Sequence, residues 1–118
     1  MAVLYIHSNT KEEMKVNLNV PFKDYKGQPI IEKDGNGEGH EVIMADYIAK
    51  ELFTLARLDG QPVAADKMLV AYKLSTRIMD NPSEVELTSE EMTFVKEVAS
   101  KTLVVGCYGQ LVDILENN

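Results

Sequence analysis

The chain of 118 residues carries 19 acids against 12 bases, a formal net charge of −7. Its length supports one hydrophobic core, and 45 % apolar with 26 % charged residues is a globular composition, which excludes wholesale disorder. An acidic excess of this size repels phosphate backbones, and no apolar run approaches the roughly 20 residues of a membrane span, so neither direct nucleic-acid nor membrane binding is expected.

Residues 3–6 read as a first strand, without the basic n-region of a secretion signal. Met14 is an alternative start, which would make residues 1–13 a dispensable leader. In residues 15–20, Val16, Leu18 and Val20 alternate with Lys15, Asn17 and Asn19, the period-2 pattern of a strand with one buried face. Pro21 ends it, residues 22–27 supply a turn, and Gly27 can take positive φ there. Residues 29–32 resume an extended segment. Residues 34–39 are a Gly-rich tip, and residues 41–44 lead out of it. The expected product is a β-rich part over residues 1–44, an antiparallel hairpin or meander.

From Ala45 the period changes to helical. Ile48, Leu52, Leu55 and Ala56 recur on one face, and Asp46 in the first turn favours the helix dipole. Residues 58–62, with Gly60 and Pro62, read as the stop. A second helix is expected over residues 64–79, with Met68, Leu69, Tyr72, Ser75 or Thr76, and Met79 inward and Lys67, Lys73 and Arg77 outward. Residues 84–87 read as a short extended link.

Thr88 and Glu91 then form a capping box, in which the Thr88 hydroxyl accepts from the Glu91 N–H while the Glu91 carboxylate reaches back. Leu87 and Met92 complete a hydrophobic staple. Met92, Val95 and Ala99 stripe the third helix. Leu103, Cys107, Leu111, Ile114 and Leu115 stripe a last one over residues 103–116, where Gly106 and Gly109 read as sites of close backbone approach or a bend. The whole is one α+β domain over residues 1–118, with the β-rich start followed by a bundle of three to four short helices in residues 45–118.

Chemistry-bearing patterns are sparse. Asp34, Asn36, Glu38 and Gly39 match positions 1, 3, 5 and 6 of an EF-hand loop, but position 12, which needs a bidentate Glu, is Ala45. A hairpin turn is the expectation, with a metal or small-molecule site on the 34–40 loop as the alternative. His7 and His40 lie far apart without the converging ligands that zinc requires. Cys107 is the only cysteine, so no intramolecular disulfide forms. It reads as a small buried hydrophobe suited to a reducing cytoplasm. Residues 102–109 lack the glycine spacing of a dinucleotide fingerprint and the Gly-Lys-Ser/Thr of a phosphate loop. We therefore expect no enzyme chemistry, no metal and no cofactor.

The charge is uneven. Residues 80–97 hold Asp80, Glu84, Glu86, Glu90, Glu91 and Glu97 against Lys96 alone, a local −5. Glu90 and Glu91 suit a helix N-terminus. The remainder fits a face for a basic partner protein, with Glu84, Glu86 and Glu90 as contacts and Tyr108 as an anchor. An acidic decoy for a nucleic-acid-binding protein is a further alternative. The apolar content leaves a surplus beyond the core, so a homodimer is reasonable.

Val85, Glu86, Leu87, Thr88, Glu90, Glu91, Val95, Lys96, the run from Leu103 to Gly106, Gln110, and the run from Asp113 to Glu116 together resemble a pattern in small tailed-phage and prophage proteins of unassigned function. The similarity covers roughly residues 65–117 and consists of core and cap positions. This chain lacks a Pro before Leu103 and places Cys107, Tyr108 and Gly109 between Gly106 and Gln110. The pattern carries no catalytic residue. It implies a non-enzymatic interaction protein of the bacterial host cytoplasm, either an assembly accessory such as a tail-assembly chaperone or an inhibitor of a host protein.

Overall fold

The computed structural model describes residues 13–116. The strand expected at residues 3–6 lies outside them. The fold is α+β: short antiparallel strands precede and interleave with four helices.

Strand β1 (Glu13–Val16) pairs antiparallel not with its neighbour in the chain but with a strand far downstream, so that Val16 lies opposite Val85 and Met14 opposite Leu87. The segment expected as a link at residues 84–87 is thus a strand with its own inner face, Val85 and Leu87. The alternation read over residues 15–20 is correct in its burial, since Val16 and Leu18 are buried, but the regular ladder stops at Val16. Beyond it, Leu18 N–H bonds to Pro82 O and Leu18 O accepts from Ala45 N. Pro21 has no N–H to continue a ladder, so the chain proceeds by single bridges, Pro21 to Ile43 and Lys23 to Pro29.

Strands β2 (Ile31–Lys33) and β3 (Gly39–Glu41) form the expected hairpin around the Gly-rich tip. Gly37 closes its turn at φ 83°. Helix α1 (Met44–Phe53) buries Met44, Ala45, Ile48, Ala49 and Leu52. It ends before Leu55 and Ala56, earlier than expected, because residues 57–62 form a hairpin of their own. There β4 (Arg57–Leu58) pairs with β5 (Gln61–Pro62). Its two-residue turn, Asp59 at φ 53° and Gly60 at φ 79°, is the Asp-Gly arrangement that matches strand twist. The stop signal was therefore a hairpin signal.

Helix α2 (Ala65–Asp80) packs on α1, and β6 (Val85–Thr88) runs directly into α3 (Ser89–Ser100). Both hydrogen bonds of the capping box form, Glu91 N to Thr88 Oγ1 at 3.1 Å and Thr88 N to Glu91 Oε1 at 2.9 Å. The staple residues Leu87 and Met92 are both buried. Helix α4 (Val105–Glu116) buries Cys107, Leu111 and Leu115. The Gln110 side-chain amide docks on the Lys23 backbone like a strand neighbour, accepting from Lys23 N and donating to Lys23 O, both at 2.8 Å. That pair ties the last helix to the β-rich start. Phe22 meets Tyr47 edge to face at 6.0 Å on the same side.

Gly106 and Gly109 do not serve close approach, since a Cβ at either would meet nothing within 4 Å. Their flexibility costs the helix without a packing return. Gly106→Ala and Gly109→Ala are each expected to raise stability by about 0.5–1 kcal/mol in urea unfolding. Loss of stability at either would show that the glycine meets a neighbour after all.

Candidate interaction surface

Helix α2 buries Ala71, Leu74, Ser75 and Ile78. These follow i, i+3, i+4, i+7 spacing, one face of a helix. Of the stripe expected from the sequence only Ser75 lies on this face. Met68 (52 % exposed), Leu69 (53 %), Tyr72 (54 %) and Met79 (49 %) face outward instead. This corrects the expected orientation. Successive residues turn 100°, and the α2 sequence carries apolar residues over more than half its circumference. Two apolar faces were on offer, and the smaller residues Ala71 and Ser75 admit α1 closely, so that face was taken.

The outward stripe continues onto α1. Phe53, 66 % exposed, lies 6.3 Å from the Tyr72 ring. Between the two helices runs a groove of about 440 Å³ lined by Ala49, Phe53, Ser75, Thr76 and Met79, with Asp46 and Lys50 on its rim. Phe53 was not singled out in the sequence. Its position at the end of α1 depends on where that helix stops. Every residue from 64 to 70 is exposed, although Lys67 and Val70 border a hollow against α3.

Glu84, Glu86 and Glu90 are exposed, as a contact role requires. Glu86 lies opposite Lys15 across the β1–β6 pair, 3.9 Å from its ammonium. Glu90 borders a hollow of about 340 Å³ shared with Lys67, Val70, Thr88, Glu91 and Phe94, where Lys67 Nζ sits 5.5 Å over the Phe94 ring. Tyr108 is half-buried against the core on α4 and lines neither that hollow nor the α1–α2 groove. The structure therefore groups Glu86 with Glu90 at the β6–α3 junction and sets Tyr108 apart.

Glu91 differs from its acidic neighbours. Its Oε1 accepts from Arg77 Nη1 at 2.7 Å, and the same guanidinium nitrogen donates to Glu86 O at 3.0 Å. Burial pushes the carboxyl pKa up, but the bonds from Arg77 and from the Thr88 N–H outweigh it and hold Glu91 below its ordinary value. This acid joins α2, β6 and α3 and is not free for a partner.

In the Gly-rich tip, Asp34 Oδ1 accepts from Asn36 N at 2.8 Å and Glu38 N at 3.0 Å. Those bonds lower the Asp34 pKa and commit that oxygen to the turn. Among the described residues no three His, Cys, Asp or Glu side chains converge as metal ligands. Cys107 is buried, which pushes its thiol pKa up and disfavours the thiolate. No described helix is long and apolar enough to cross a membrane. Comparison with protein-family models, curated proteins and solved structures returns no match.

Proposed function

We propose that this protein works by binding another polypeptide, as a phage-type assembly accessory or inhibitor, and that the α1–α2 face is its working surface. The single observation that carries this reading is the outward stripe of Phe53, Met68, Leu69, Tyr72 and Met79 beside an apolar groove. Scattered exposed apolar side chains are ordinary, but a contiguous patch this size marks a surface that is covered in use. The chemistry it fits is an apolar helix face laid along α2, with charges that answer Asp66, Lys73 and Asp80 along its edge. The free, buried thiol suits a reducing cytoplasm.

The second reading places a basic partner on Glu84, Glu86 and Glu90, and the exposure of all three favours it. A photocrosslinking side chain introduced singly at Leu69, Met79, Glu86 or Glu32 separates the two. Adducts formed in the host cell at Leu69 and Met79, and not at Glu32, are the expected outcome. Adducts at Glu86 alone would move the working surface to the acidic side.

A further inference from the structure

Ala65, Leu69, Tyr72, Thr76 and Met79 follow one another at spacings of four, three, four and three, and all are exposed. That is the 3.5-residue repeat by which one helix faces another. Along one edge of this seam run Asp66, Lys73 and Asp80, seven residues apart and alternating in sign. All three are exposed, and none is in an ion pair among the described residues. A helix that satisfies the partner specification above is therefore α2 itself.

We propose that the occupant of this face is a second copy of the protein, the two α2 helices lying antiparallel about a two-fold axis. This rests on the reading of the α1–α2 face as the working surface. In the register that sets Leu69 against Tyr72 of the partner subunit and Ala65 against the partner's Thr76, Asp66 meets the partner's Lys73, and symmetry makes the pair twice. Sliding by seven residues, so that Leu69 meets the partner's Met79, brings Lys73 against the partner's Lys73 and is disfavoured by like charge. The alternation therefore selects one register.

Three further features agree. Short helical segments are marginal in water without packing, and the outer side of residues 65–70 is exposed, with Met68 and Leu69 only about half covered; a second copy packs that side. Between Asp66 and Asp80 the chain holds Lys67, Lys73 and Arg77 and no acid. Two chains of net −7 thus meet where their mutual repulsion is least. The stripe with Phe53 offers on the order of 500 Å² of apolar surface per copy, near the lower bound of a specific interface, as a reversible dimer requires.

Sedimentation velocity over about 1–200 µM tests this. We expect a monomer–dimer equilibrium that Leu69→Asp weakens about 100-fold. Lys73→Glu is expected to weaken it about 10-fold, and the double exchange Asp66→Lys with Lys73→Glu to restore it. All three positions are exposed, so at low concentration Leu69→Asp and Lys73→Glu should melt close to the parent, and the double exchange a few degrees lower because Asp66 is the first-turn acid of α2. A dimer indifferent to Leu69→Asp, or a double exchange no better than Lys73→Glu, overturns the proposal. A monomer at every concentration also overturns it; crosslinks from Leu69 to a different protein would then preserve the working surface, and their absence would remove both.

Discussion

Leu74→Ala is expected to cost about 3 kcal/mol and to lower the melting temperature by roughly 12 °C, whereas Leu69→Ala, five residues earlier on the same helix, is expected to cost under about 0.5 kcal/mol. Leu74 is fully buried in the hydrophobic core, so truncation removes transfer energy and leaves a cavity. Leu69 is half exposed, so truncation removes much less buried area. Thermal unfolding at sub-micromolar concentration, where self-association adds nothing, reads the two costs directly. Equal costs, or the reverse order, would mean that α2 packs by the face read from the sequence and that the outward stripe is core.

Glu91→Gln is expected to cost about 1–2 kcal/mol near neutral pH, with the gap to the parent closing as the pH falls below 4.5. The carboxylate accepts from Arg77 and from the Thr88 N–H at one oxygen, so the charged form belongs to the folded state. Its folded pKa lies below the ordinary 4.5, so its contribution is full above that value. It is lost as acid protonates the group through the depressed folded value. Arg77 is more than a third exposed, which screens the ion pair, and the magnitude therefore rests on the cap and its hydrogen bonds. Urea unfolding of both proteins across pH 3–7 measures the gap. A gap that stays constant with pH would show that the amide's shape, and not the charge, is what the substitution disturbs.

Glu91 also marks how far the sequence carried. Its capping box was readable because both partners lie within one turn, and a local hydrogen-bond geometry needs nothing from the rest of the chain. Its third partner, Arg77, sits 14 residues away on another helix, and no local rule points to it. Similarly, the alternation at Val16 and Leu18 announced a buried face, but not that the pairing strand is Val85–Thr88. Antiparallel pairs between distant segments are chosen by the closure of the whole core. The Asp-Gly turn at residues 59–60 was legible and was misread, because a glycine and a proline after a helix also signal its end.

The sequence by itself determined the α+β class, the helix period from residue 45, the cap at Thr88 and the acidity around it. Each follows from spacing, composition or contacts within a few residues. Only the tertiary structure decided which of two apolar faces of α2 goes inward. Both satisfy helical periodicity equally, and the choice falls to steric fit, since Ala71 and Ser75 let α1 approach where Leu69 and Tyr72 would hold it off. The face left outside by that fit, with Phe53 beside it, is the surface on which the function of this protein is proposed to rest.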